Sequence, residues 1–149
     1  MSLSTLLESE SVVISYDEEN QWLYADWQGK LGVEQIKRGS EDILTCLQQV
    51  VCHKLLNDNS NVRAATWYFS EWMAYDAMPR FAAAGLQYIA WVLSPSLDCR
   101  LYADQAVGMA KMPLTAVFDE LIGAHQWLSY CEQWFPVQRY LSTPIAPAL

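Results

Sequence analysis

Residues 86–94, LQYIAWVLS, constrain the fold more than any other stretch of the chain. A strand with one solvated face alternates apolar and polar side chains, because successive residues point to opposite sides. Here Tyr88, Ile89, Ala90, Trp91, Val92 and Leu93 are apolar without a break. Such a run is at home where both faces are covered, as in the interior of a parallel sheet with helices packed on it. Parallel neighbours must in turn be joined by crossovers long enough to hold a helix.

The flanking sequence supplies those pieces. Residues 11–17 (SVVISYD) and 21–28 (QWLYADWQ) are two strand-like runs joined by the polar link EEN, which predicts an antiparallel hairpin ended by Gly29 and Gly32. In residues 33–51, Val33, Ile36, Ile43, Leu44, Leu47, Val50 and Val51 recur at helical spacing, with Glu34, Lys37, Arg38, Glu41 and Asp42 opposite. That is an amphipathic helix, despite a cost of about 1 kcal/mol for Gly39 relative to Ala. KLLND (54–58) reads as a short buried strand. A helix is expected over 63–84, with Trp67, Trp72, Met73, Ala77 and Phe81 inward, a kink or fresh start at Pro79 and a stop at Gly85. Beyond the 86–94 strand, 94–110 reads as a loop and a shorter helix, and PLTAVF (113–118) as a final strand. DELIGAHQWLSYC (119–131) is a final helix with Asp119 as N-cap and Leu121, Ala124, Leu128 and Cys131 on one face. The tail, 135–149, carries three prolines and is expected to be extended.

The predicted architecture is α/β: an N-terminal antiparallel hairpin, then alternating helices and parallel strands in a single mixed sheet flanked by helices. At 149 residues the chain is read as one domain, 1–149. The hairpin is expected to leave an open edge strand, and open edges invite pairing with a second copy. The formal charge of −8, with basic residues scattered, disfavours nucleic acid and anionic lipid surfaces. The N-terminal MSLSTLLESE lacks the basic residue and apolar run of a signal peptide, and FAAAGLQYIAWVL is too short to span a bilayer. Four cysteines without C-x-x-C spacing then point to free thiols in a cytoplasmic protein, with no metal set and no cofactor motif.

Signs of turnover are sparse. Neither GxGxxG, GxxxxGK[ST] nor GxSxG occurs, and the two histidines, His53 and His125, have no nucleophile at a useful spacing; His53 is adjacent to Cys52, and adjacent side chains point apart. Paired carboxylates at 17–19, 41–42 and 119–120 are most simply turn and first-turn residues. Asp76 is expected on an exposed helix face. NDNSN (57–61) is the more informative stretch, because in wound α/β sheets ligands gather where a strand hands over to a helix N-terminus. Asp58, Asn59, Ser60 and Asn61 are therefore candidate binding or regulatory residues, with helix capping as the plain alternative.

Four segments, LYADWQG (23–29), LLNDNS (55–60), AAAGLQYIAWVLSP (82–95) and FDELIGAHQWL (118–128), taken with the element order, resemble the STAS or SpoIIAA-like superfamily, and in particular its uncharacterised STAS/SEC14-like bacterial branch. The resemblance implies a small domain that docks to another protein instead of turning over a substrate. In anti-anti-sigma proteins of that group a serine directly after an aspartate is phosphorylated by a partner kinase. Asp58 matches that aspartate, and Ser60 lies one position further on, with Asn59 between. The SEC14-like side of the resemblance implies an apolar pocket.

Two functions follow as expectations. One is a non-enzymatic regulatory or protein-interaction domain, with an unidentified protein partner and a homodimer in view. The other is a binder of a small or lipid-like molecule in an aromatic pocket lined by some of Trp22, Trp27, Trp67, Trp72 and Trp91, with Trp67, Trp72 and Trp91 foremost, drawn from a chain unusually rich in Trp and Tyr.

Overall fold

The computed structural model describes residues 1–66 and 69–137. Six strands, β1 (Leu3–Glu8), β2 (Val12–Asp17), β3 (Trp22–Leu31), β4 (Lys54–Ala65), β5 (Tyr88–Val92) and β6 (Leu114–Phe118), form one sheet in sequence order. The pairs β1–β2 and β2–β3 are antiparallel, and β3–β4, β4–β5 and β5–β6 are parallel. Between the parallel strands run α1 (Val33–Gln49), then α2 (Ser70–Trp72) continuing through a π-helical turn (Met73–Ala77) into α3 (Met78–Ala83), then α4 (Leu97–Met109). Among the described residues the last helix, α5 (Leu121–Trp134), follows β6. This is the mixed α/β sheet that the sequence predicts.

The alternation of side chains sorts the core into two layers. Leu23, Ala25, Leu55, Ile89 and Trp91 face α1, α3 and α4, and pack with Ile36, Ile43, Phe81, Tyr102 and Ala106. Trp22, Leu56, Tyr88, Ala90 and Val92 face the other way, against Ala124, Leu128 and Cys131 of α5. Every residue of β5 is buried, as its unbroken apolar run requires.

Three features differ from the expectation. First, the hairpin of β2 and β3 forms, its turn pinned by Asp17, whose Oδ1 accepts the Glu19 and Asn20 amides at 3.1 Å each. Its outer strand is not the sheet edge, however, because LSTLLE pairs outside it as β1. β1 is mostly exposed and keeps only Leu6 and Leu7 half-buried against the core, so its hydrophobic pattern is weak. Among the described residues the sheet edges are β1 and β6.

Second, the chain does not leave the sheet at NDNSN. β4 continues as a strand to Ala65, and the next helix begins only at Ser70. The turn propensity of Asp, Asn and Ser is overridden because β3 extends to Leu31 and supplies a ladder for the whole length. Between Asp58 and Asn61 the register slips: β3 advances from Asp26 to Gln28 while β4 advances from Asp58 to Asn61. This β-bulge moves Val62 to the α1 side of the sheet, where it joins the core.

Third, Pro79 is accommodated by a change of helix type. The Met78 amide bonds the Met73 carbonyl, a π-type step, and Pro79, which has no N–H to donate, follows it within the same continuous helical run. Gly85, with φ of +108°, then ends the helix, and the Leu86 amide reaches back to the Phe81 carbonyl at 3.0 Å. Asp119 does not cap α5; that position belongs to Glu120, and Asp119 instead accepts from Arg100 at 2.7 Å. Residues 138–149 of the predicted extended tail lie outside the described residues.

Glycine is essential at Gly39. A Cβ there would stand 2.3 Å from the Trp27 ring, so α1 comes this close to β3 only because position 39 has no side chain.

Candidate functional site

On the α1 side of the sheet, a cavity of about 20 Å³ opens between β3–β5 and the helices. Its apolar walls include Ile43 of α1, Leu55 of β4, Ile89 of β5, and Met73, Met78 and Phe81 of the helical run with the π turn. Six polar side chains also line it: Trp27, Ser40, Asn57, Asn59, Trp91 and Tyr102. Among the described residues none that lines it is charged or a histidine.

These six fall into two groups. Trp27 Nε1 donates to Asn57 Oδ1 at 2.8 Å, and Ser40 Oγ donates to the Ile36 carbonyl at 2.7 Å, so those three side chains are engaged within the fold. Asn59 Oδ1, Trp91 Nε1 and Tyr102 O–H are buried and have no hydrogen-bond partner among the described residues. The three residues are 5%, 3% and 3% exposed. Buried polar groups without partners are rare in folded proteins, and three around one cavity of this size are a concentrated exception. Burial pushes the Tyr102 phenol above the usual tyrosine range, keeping it a neutral donor. Its ring meets Trp91 edge-on, with centroids 6.0 Å apart.

Each element aims its residue by its own periodicity. Asn57 precedes the β4 bulge and Asn59 lies within it, and both line the cavity with Leu55, while Trp91 follows Ile89 on β5. Tyr102 lies on the buried stripe of α4 with Cys99, Ala103 and Ala106.

Of the residues singled out from sequence, Trp27 and Trp91 line the cavity, Asn59 does so as a strand residue, and Trp22 lies in the other layer against α5. Asp58 faces the α5 side, 3% exposed, where Oδ2 accepts from Tyr24 O–H at 2.6 Å and Oδ1 from the Ser60 amide at 2.9 Å, closing the bulge. Burial, and then this bond, raise the Tyr24 pKa. Ser60 and Asn61 are exposed, and Asn61 Nδ2 donates to Asp26 Oδ1 at 3.2 Å. The four residues therefore divide between the two faces of a strand, and Ser60 does not stand at a helix N-terminus, so no helix dipole favours a charge there. Trp72 is not in the cavity; it stacks on Phe69 with centroids 5.1 Å apart. Trp67 lies outside the described residues.

The sequence reading missed Tyr102, Asn57 and the two methionines as cavity residues. The available signal was the alternation Leu55, Asn57, Asn59, which puts amides on an inward strand face opposite Trp27.

The groups most often used in turnover are dispersed. His53 Nδ1–H donates to the Gly85 carbonyl at 3.1 Å, while the Cys52 thiol turns toward the Lys54 carbonyl at 3.8 Å. His125 meets Asn20 at 3.3 Å and the edge of Trp22. Asp76 is exposed and pairs with Arg80 at 3.3 Å. All four cysteines are free and buried. Among the described residues no group of three or more His, Cys, Asp or Glu is placed to hold a metal ion, and no helix is long and apolar enough to cross a membrane.

No family model matches the chain, and no curated protein matches it. Among solved structures it is similar to an uncharacterised protein of the DUF3478 family with a SpoIIAA-like fold from Shewanella loihica PV-4. The two share 13% sequence identity over 84% of this chain and 98% of that one, with a TM-score of 0.48.

Proposed function

We propose that this chain is a non-enzymatic binding domain that holds a small molecule in the cavity between the sheet and α1, α3 and α4. One observation carries the reading: three residues lining this largely apolar, aromatic-walled cavity, Asn59, Trp91 and Tyr102, each hold a buried polar atom with no partner among the described residues. A few convergent polar groups on apolar walls are the usual make-up of a small-molecule site. Native mass spectrometry of freshly purified protein tests it. A bound molecule that is lost when Trp91 is replaced by Phe is the expected result; a mass equal to the bare chain, with no small molecule shifting cavity resonances, refutes the reading.

A second reading, docking to another protein, is favoured by the β3–β4 arm. Past the bulge these strands continue beyond the last β5 pairing, and Gln28, Gly29, Asn61 and Arg63 with Glu10 line an open groove there. Ser60 and Asn61 would contribute to such a surface, whereas Asp58 would act by holding the bulge. A partner recovered from native cells with the wild-type chain but not with Asn61→Arg supports docking there; equal recovery by both sinks it. Pairing of two copies through the β1 or β6 edge is the corresponding homodimer, and sedimentation across a concentration series tests it.

A further inference from the structure

We infer that the cavity ligand is an uncharged molecule with an apolar body and a single hydroxyl group, and that the wall formed by Met73 and Met78 yields to admit it. This rests on the pocket reading above and narrows it to a chemical class.

The unpartnered atoms set the head group. Trp91 and Tyr102 offer an N–H and an O–H, and Asn59 offers an acceptor oxygen. A hydroxyl has one donor and two acceptor sites, which complements two donors and one acceptor count for count. A carboxylate or a phosphate is disfavoured because no described lining residue carries a positive charge, so its charge would be desolvated without compensation. A pure hydrocarbon would fill the space but leave all three polar atoms unsatisfied.

The walls set the body. Trp27, Trp91, Phe81 and Ile89 present rings and branched aliphatic carbons, suited to a phenyl ring or a short alkyl chain. In this structure the cavity, at about 20 Å³, has room for one water-sized group, so a larger body must displace a wall. Sheet residues are held on both sides by strand pairing. The methionines are different: each has three rotatable bonds and a soft thioether. They also bracket the π turn, where the Met78 amide bonds the Met73 carbonyl in place of the usual helical partner. Such turns recur at functional sites because they interrupt the regular ladder.

The test titrates the intact chain with phenol, toluene, benzamide and benzoate at matched concentrations. Two readouts are followed: the Trp91 indole N–H resonance, assigned by its loss in Trp91→Phe, and the methyl resonances of Met73 and Met78. The expected result is that phenol moves all three signals and binds more tightly than the other probes. Tyr102→Phe should then weaken phenol by about three- to tenfold, the worth of one hydrogen bond, and leave toluene unchanged. Circular dichroism and a retained Trp91 signal show that Tyr102→Phe is folded. Toluene, benzamide or benzoate matching phenol at Trp91 overturns the hydroxyl assignment while leaving the pocket standing, as does a co-purified molecule in native mass spectrometry when no probe moves Trp91. Phenol that binds without moving the Trp91 signal, or equally well to Tyr102→Phe, also overturns it. Failure of every probe together with a bare mass removes both readings.

Discussion

Replacing Tyr102 by Phe should stabilise the ligand-free protein. The substitution removes one oxygen and keeps the ring, so the edge contact with Trp91 and the packing of α4 on the sheet are preserved. The hydroxyl is buried in a residue 3% exposed, with no partner among the described residues. Leaving such a group unsatisfied costs about 1–3 kcal/mol, so its deletion should recover about 1 kcal/mol or more. For a chain of this size that raises Tm by about 2–4 °C. Urea denaturation at pH 7, with calorimetry alongside, measures it. Tyr24→Phe serves as the opposite case, because its hydroxyl donates to Asp58 at 2.6 Å, and it should lose about 1.5–3 kcal/mol. If Tyr102→Phe instead loses more than about 0.5 kcal/mol, the hydroxyl is engaged in the ligand-free fold, and the reasoning from unpartnered atoms fails.

Three further outcomes are expected. Gly39→Ala, which helix propensity alone would favour by about 1 kcal/mol, should destabilise by about 1–3 kcal/mol because the new methyl meets Trp27; a stabilised variant in the same urea assay refutes the contact. Asp58→Ala should cost more than Tyr24→Phe, since it strips both the tyrosine hydroxyl and the Ser60 amide of their acceptor, and equal losses would show that the bulge does not need its carboxylate. Burial raises the Cys46 and Cys131 thiols from 9.0 to about 11. The unfolded chain therefore releases these protons first as pH rises, so the stability they contribute is intact below pH 9 and declines between 9 and 11, by up to about tenfold in the folding constant per pH unit for each thiol. The double variant Cys46→Ala, Cys131→Ala should have a shallower alkaline decline; an unchanged slope contradicts the assignment.

The parts of the fold that could be read ahead of the structure are those whose signal is local. The unbroken run of β5, the alternation of β2 and β3, and the heptad-like stripe of α1 each carry their own period. β4 does not. Its Asn57, Asp58 and Ser60 have turn propensity, and what makes them strand residues is the company of Trp27 and Tyr24, both on β3. β1 was hidden for the opposite reason: a half-exposed edge needs little hydrophobic pattern. Asp119 looked like a cap because nothing local reveals that Arg100 takes its carboxylate. The candidate site was legible to the same degree. Trp91 stood out on its strand, whereas Tyr102 becomes part of the cavity only once α4 is laid across β4 and β5.

The order of strands across the sheet is also their order along the chain. Each parallel crossover closes on the strand made immediately before it, so no segment has to wait for a distant one to find its place in the sheet. During synthesis the sheet can grow from β1 outward by accretion at a single advancing border. Among the described elements α5 alone turns back, covering Leu56 and Tyr88 after β6 is in place. Arrested chains ending just before α5 should therefore already protect the amides of β3 and β4 from hydrogen exchange, and late docking of that one helix would seal the second layer.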